Sequence, residues 1–404
     1  MLSVEQALER ITGAFAPLAP ETVALDDALG RVLAEDAHAR VTQPPHVASA
    51  LAGYAVRAGD VRTGPARLKV IGRAPAGAAY EADLGPGEAV RIFTGAPVPT
   101  GADAVVMQED TRADGETVTV KLSVPAGHHI RRAGLDFQAG ALGLGAGRRL
   151  SARDVGLLAA MNHPWVRVRR RPRIAILATG DEIVLPGEAL GHSQIIGSNG
   201  PALAALVRAC GAEPIHLGVA PDDREALGAM AESARGTDLL VTTGGVSVGD
   251  HDLVRQVLDD RGFKLDFWKI AMRPGKPLLF GRIGETPVLG LPGNPVSTLV
   301  CALIFLRPAI DAMLGRAAAD DGPYNAILGA DLAANNRRQA YLRARLATDS
   351  AGQRVATPFD RQDSSMLANL ASADCLIVRP PNAAPAQAGD RVPIVPFAGG
   401  AYEI

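Results

Sequence analysis

The sequence predicts a multidomain α/β protein in which a doubly wound, mostly parallel α/β sheet domain is joined to two small β domains and a helical connecting domain. Three observations predict it. Residues 173–316 alternate strand-like and helical hydrophobic periods, which implies βα units and an open sheet with helices on both faces. Residues 46–142, and again those after 316, carry only short β-like runs broken by Gly, Pro and Asp. Residues 1–43 and 150–160 have a helical period instead. The expected parts are therefore 1–43 with 143–172 as the connecting domain, 44–142 as a small β domain, 173–316 as the α/β domain and 317–404 as a C-terminal β domain.

Taken in order, Ser3 can cap a first helix, and Pro44 and Pro45 stop the helical period. Short strands are expected at Ala66 to Gly72, Ala89 to Phe93, Ala104 to Gln108 and Thr117 to Val124. Ser151, with Asp154 three residues on, caps a helix over 150–160, and the arginine-rich run Val166 to Arg173 reads as a solvated connector. In the α/β part, strands are expected at Ile174 to Ala178, Pro214 to Val219, Asp238 to Thr243, 264–269, 277–283 and 287–291. Helices are expected after Asn199, after Asp222 or Asp223, over 251–261 and over 295–313. Ala340 to Leu346, Cys375 to Val378 and Arg391 to Val395 are the strands expected after 316.

Composition excludes several functions. The 404 residues include 41 Lys and Arg against 43 Asp and Glu, a net charge of −2 with no block of one sign, so no nucleic-acid partner or anionic membrane surface is expected. Cys210, Cys301 and Cys375 are odd in number and lack any CxxC, which argues against a disulfide framework or a cysteine zinc site and for a reducing compartment. The N-terminal segment is acidic where a secretory signal would be basic, and the longest largely apolar run, Val296 to Leu306, is 11 residues. A cytoplasmic protein with no membrane span is expected.

Chemistry concentrates at the strand ends of the α/β part. Four loops fall on one sheet edge: Thr179-Gly180-Asp181-Glu182, Thr243 to Asp252, Arg273-Pro274-Gly275-Lys276-Pro277 and Leu291 to Ser297. Glycines such as Gly244 and Gly245 let backbone N–H groups approach an anion, Ser247 and Ser297 can donate, and Arg273 and Lys276 are fixed cations. Glu182, Asp222, Asp250 and Asp252 are hard oxygen donors suited to Mg²⁺ beside a phosphate. No GxxxxGK[ST] or GxGxxG is present, which disfavours a P-loop ATPase and a dinucleotide dehydrogenase.

The motifs Ser49-Ala-Leu-Ala-Gly-Tyr-Ala55, Arg91 to Glu109 and Ile130-Arg-Arg-Ala-Gly-Leu-Asp136, with the four loops above, are similar to those of the MoeA-type molybdopterin molybdenumtransferases, the family of the gephyrin C-terminal domain. The resemblance spans essentially the whole chain. It implies a MogA-like α/β domain and insertion of molybdate into the dithiolene of adenylylated molybdopterin, with Mg²⁺-dependent release of AMP. It also implies a homodimer whose cleft sets the α/β domain of one subunit against the small β domain of the other. Implied partners are a molybdopterin adenylyltransferase and recipient molybdoenzymes or their chaperones.

Residue by residue, the resemblance implies catalytic roles for Glu182, Asp252, Lys269, Lys276 and Thr94. It implies substrate contacts for Arg273, Pro277, Ser297, Arg343, Ser364, Gly244, Gly245, Ser247, Asp222 and Asp136, and metal contacts for Glu182, Asp250 and Asp252. Three family carboxylates are replaced: Ala52 stands in the Asp-Gly-Tyr motif, Leu135 in Gly-Glu-Asp and Gly197 in Asp-Ser-Asn. These departures raise a second expectation, a catalytically impaired homologue that binds, delivers or scaffolds.

Overall fold

A computed structural model describes residues 1–221, 223, 225, 228, 229, 232–244, 263–316 and 324–397. The expected cap at Asp222 and the expected helix over 251–261 lie outside the described residues.

The first helix, α1 (Val4–Gly13), starts with the full capping box that Ser3 and Gln6 encode. Its apolar stripe of Val4, Ala7 and Ile11 packs into the main core of the α/β part. The helical period expected to continue to residue 43 does not. Pro17 and Pro20 cannot sit inside a helix, and Pro20–Ala24 instead pairs antiparallel with Trp165–Arg169. That pairing also corrects the reading of 166–173 as a solvated connector. Val166 and Val168 are buried, Arg169 donates to the Leu18 carbonyl at 3.0 Å, and Arg170 grips Asp238 with two bonds of 2.7 and 2.6 Å. A second helix, α2 (Ala152–Ala160), carries the expected Ser151 and Asp154 capping box and covers a small core with Leu33, Leu144 and Leu150.

The small β part is one six-stranded sheet in the order Ala104–Met107, Gly53–Val56, Glu88–Ile92, Ala66–Ala74, Thr117–Val120, Thr111–Asp114. All four expected runs contain strands, though the last ends at Val120 rather than Val124. Gly53–Val56 and Thr111–Asp114 are additions.

The α/β sheet contains β1 (Arg173–Thr179), β2 (Glu213–Ala220), β3 (Leu239–Thr243), β4 (Phe263–Trp268), β5 (Leu279–Ile283) and β6 (Thr286–Leu291), in the order β2-β1-β3-β6-β5-β4. The pairings β2–β1, β1–β3 and β3–β6 are parallel; β6–β5 and β5–β4 are antiparallel. Helix α3 (Asn199–Ala209) begins one residue earlier than expected, with Ser198 as its cap. Helix α4 (Pro295–Leu314) has a π-helical turn at Ala302–Leu306. It is long and apolar enough to span a bilayer, but most of it is buried against β1, β3 and β6 as a core helix.

The C-terminal sheet closes on itself. Gln339–Thr348 pairs with both Arg354–Pro358 and Cys375–Arg379, and the ring is completed through Asn325–Leu328 and Arg391–Pro396. Closure leaves no free strand edge within the ring. Met272–Arg273 adds itself in parallel to Gln339 and Ala340, so the α/β part contributes a strand to this sheet. All three cysteines are free and buried, as expected of a chain without a disulfide framework. Burial pushes the thiols of Cys210 and Cys375 up to about 12.

Candidate active site

The parallel strands β1, β3 and β6 end side by side, and their loops enclose a cavity of about 690 Å³ together with the start of α3. Such a crevice, outside the carboxyl ends of parallel strands, is where doubly wound sheets bind ligands. Glu182, exposed in the loop after β1, Gly244 after β3, and Ser297, 5% exposed in the first turn of α4, all line it. Gly244 is required there. Its φ is +89°, and a Cβ would stand 2.6 Å from the Thr179 carbonyl oxygen. Part of the lining is apolar: Ile183, Ile195 and Ile196, carried by two short parallel strands, and Leu185 just after the first.

The cationic loop borders the cavity rather than filling it. Pro277 lines it, whereas Arg273, Lys276 and Lys269 do not. Arg273 is exposed at the strand that joins the C-terminal sheet. The Lys276 carbonyl accepts from the Ile270 and Leu278 amides at 3.1 Å each, which folds the loop back on itself. Gly275 makes this possible, because a Cβ there would meet the Cys301 sulfur at 2.3 Å. Lys269 has a φ of +71°, and its Nζ lies 3.7 Å from the centroid of the Trp268 ring, a cation–π contact.

The C-terminal part enters through residues 359–366. Ser365 lines the cavity, and Ser364 is tied beside it: the Asn294 amide donates to its Oγ at 3.0 Å, and the Val296 N–H donates to its carbonyl at 3.1 Å. Arg343 does not line the cavity. It is 1% exposed, with its guanidinium bonded inside this segment. The exposed Asp363 carboxyl is held below its ordinary value by the hydroxyl and backbone N–H of Ser365.

The remaining expected site residues lie elsewhere. Thr94 and Asp136 are exposed in the small β part, where the Asp136 N–H donates to the Gln43 carbonyl at 3.0 Å, and neither lines the cavity. Ala52 is half-buried beside Arg91, whose guanidinium lies 5.2 Å from the Tyr54 ring and 4.9 Å from the Phe93 ring. Asp222, Gly245, Ser247, Asp250 and Asp252 lie outside the described residues. Among the described residues no group of three or more His, Cys, Asp and Glu side chains could hold a metal, and of the expected ligands only Glu182 is described.

Sequence reasoning assigned no role to four residues that the cavity uses. Asn199 donates to the Gly293 carbonyl at 2.7 Å, and its Oδ1, buried, has no hydrogen-bond partner. Asn294, Ser365 and His216 also line the cavity. Asn199 and Asn294 sit inside motifs that were readable, Gly-Ser-Asn and Leu-Pro-Gly-Asn-Pro, so the signal was present; His216 lies on the edge strand β2 with no motif around it.

Comparison with known proteins matches three consecutive family descriptions: "MoeA N-terminal region (domain I and II)" over residues 2–162, "Probable molybdopterin binding domain" over 175–312 and "MoeA C-terminal region (domain IV)" over 325–397. A molybdopterin molybdenumtransferase of Nostoc sp. is 38% identical over 369 residues, 89% of this chain and 85% of that protein. The Bacillus subtilis protein of the same name is 35% identical over 388 residues, 94% of this chain and 90% of its own length. The crystal structure of the molybdopterin biosynthesis MoeA protein from Pyrococcus horikosii superposes with a TM-score of 0.84 at 33% identity, covering 99% of this chain and all of that one. Matches of this identity and length leave one conclusion: the chain belongs to the MoeA family of molybdopterin molybdenumtransferases.

Proposed function

We propose that the chain inserts molybdate into the dithiolene of adenylylated molybdopterin, with Mg²⁺-dependent release of AMP. The observation that carries this reading is the single cavity in which a glycine loop, the buried hydroxyl of Ser297 and Ser365 of the C-terminal part meet beside Pro277 of the cationic loop. A tetrahedral dianion needs hydroxyl or amide donors, which Ser297 and Ser365 offer here, while the cations of the 273–277 loop border the cavity without lining it. The apolar wall of Leu185, Ile195 and Ile196 suits a flat heterocycle.

The exposed carboxylate of Glu182 is a hard oxygen in the same cavity and would hold Mg²⁺ together with substrate phosphate. Bound there, the ion supplies neutralisation of phosphate charge. Ser297 and Ser365 orient the oxyanion, and Gly244 allows close backbone approach to phosphate. The enzyme is a cytoplasmic homodimer in this reading, supplied by a molybdopterin adenylyltransferase and serving molybdoenzymes or their chaperones.

The test is AMP release from adenylylated molybdopterin with molybdate and Mg²⁺. Wild type releases AMP, and Glu182→Gln lowers the rate by about tenfold or more, as expected for loss of one preorganised charge. No release above background by wild type overturns the reading. Ala52 favours a second reading, a binder without turnover; tight binding of the adenylylated substrate with no AMP released, and turnover gained on Ala52→Asp, would select it.

A further inference from the structure

Between β1 and α3 the chain forms a flap, residues 181–197, that is held together mainly by itself. Two short strands, Ile183–Val184 and Ile195–Ile196, pair in parallel, and the Ile195 and Gly197 N–H groups donate to the carbonyls of Glu182 at 2.7 Å and Val184 at 2.8 Å. The turns between them are closed by the Glu188 carboxylate, which accepts from the Leu185 N–H at 2.7 Å, and by the Gln194 Oε1, which accepts from the Gly191 N–H at 3.0 Å. Among the described residues, every backbone hydrogen bond of 182–197 stays within 180–197. Both ends, by contrast, are fixed. The Gly180 N–H donates to the Ala220 carbonyl at 3.2 Å, and the Asn199 amide donates to the Gly293 carbonyl at 2.7 Å. Gly180 has a φ of +135°, which glycine adopts without strain, so the flap leaves the sheet through a joint without a side chain.

The flap carries six large apolar side chains: Ile183, Val184, Leu185, Leu190, Ile195 and Ile196. Among the described residues none of the six is buried or packs against a hydrophobic core, and Leu190 and Ile195 are 60% and 59% exposed. Clustered exposed apolar surface marks a place that something covers. Ile183, Leu185, Ile195 and Ile196 line the cavity, so the cover is what the cavity holds. We infer that 181–197 is a lid that turns about Gly180 and Ser198 and lays Leu185, Ile195 and Ile196 on the flat ring of a bound ligand. Few bonds to the body of the protein make that motion cheap. Glu182 couples it to binding, because its carboxylate lines the cavity while its carbonyl holds the Ile195 N–H. The inference rests on the proposed reading, in which the substrate brings two flat rings, a nucleobase and a pterin.

The test uses the full chain with Leu190→Cys on the lid and Arg208→Cys in the last turn of α3, both exposed positions, spin-labelled and mixed with excess unlabelled chain so that distances within one chain are read. The native thiols are buried and stay unlabelled. AMP, or molybdopterin without the nucleotide, shifts the distance by more than about 2 Å, the scale of loop rearrangement on binding. A shift with AMP assigns the nucleobase to the lid, and a shift with molybdopterin assigns the pterin. In the unmodified chain, chymotryptic cleavage after Leu190 slows about tenfold at a ligand concentration about ten times Kd, as the open fraction falls. Leu190 does not line the cavity, so the ligand itself does not shield it. Ligand binding by calorimetry with both the distance and the cleavage rate unchanged overturns the inference alone. Protection of Leu190 that needs no ligand and grows with chain concentration gives the apolar patch to a second copy of this chain, and overturns it too. A chain that binds neither AMP nor molybdopterin overturns the functional reading and the inference with it. Should the labelled variant fail to fold, cleavage of the unmodified chain decides the question.

Discussion

At the scale of single residues, the three replaced carboxylates are three different situations. Leu135 is exposed in a surface turn, so its side chain contributes nothing to packing that a carboxylate would disturb. Ala52 adjoins Gly53, whose carbonyl accepts from Arg91 at 2.7 Å, while Arg91 also donates to Gln108 at 2.6 Å. The guanidinium has partners without an acid, so Ala52→Asp at this half-buried position should cost no more than about 1 kcal/mol, the centre of the range for point substitutions. Gly197 differs, because a Cβ there would stand 2.8 Å from the Ile183 Cγ2. That methyl belongs to a β-branched side chain with a stiff χ1 and cannot swing aside cheaply. Gly197→Asp alone is expected to cost about 1–3 kcal/mol through overpacking. Pairing it with Ile183→Leu, which removes the branch at Cβ, should recover most of that loss. Chemical-denaturation midpoints of the two variants check this, and an unaltered midpoint for Gly197→Asp would refute it.

At the scale of elements, what was legible was local. The Ser3 and Ser151 capping boxes and the strand runs of β1 and β3 are encoded within a few residues, and they fold as read. What was hidden is decided by partners far along the chain: Pro20–Ala24 is extended because Trp165–Arg169 receives it, and Ala37–His38 because Leu142–Leu144 does. The same holds for the site. Its glycines and prolines announced sharp turns at the sheet edge, whereas the burial of Arg343 depends on Gln362 folding back over its strand, and no spacing encodes that. The α2 cap carries a pH signature. Burial alone would raise the Asp154 carboxyl, but hydrogen bonds from the Ser151 N–H and the Arg148 guanidinium outweigh it and hold the group below its ordinary value. A depressed folded-state value means stability that is present above the ordinary carboxylate range, near pH 4, and lost as pH falls through the lower folded value. Asp154→Asn should therefore lower the thermal midpoint at pH 7 and converge with wild type at the acid end. An equal deficit at both pH values would contradict the assignment.

At the scale of the molecule, the cavity at the ends of β1, β3 and β6 is lined without part of the chain's motifs. Helix α1 binds the N-terminus to the α/β core, with the Ala271 N–H donating to the Leu2 carbonyl at 2.8 Å just before Arg273. The C-terminal sheet takes in Met272–Arg273 and returns Ser365 to the cavity. The small β part stays away: among the described residues, none of its sheet or of the Thr94 loop lines the cavity. If Thr94 serves the same reaction as Glu182, it must reach a cavity in another chain, and a two-fold dimer provides that exchange reciprocally. Two variants then make a sharp test. Thr94→Ala disables the small β part of its own chain, and Glu182→Gln disables the cavity. Mixed in equal amounts after dissociation, half of the dimers carry one of each, and one of their two sites combines an intact cavity with an intact small β part. AMP release should rise from the level of either variant to about a quarter of wild type, the fraction set by random two-fold pairing. Sites built within one chain would give no gain on mixing.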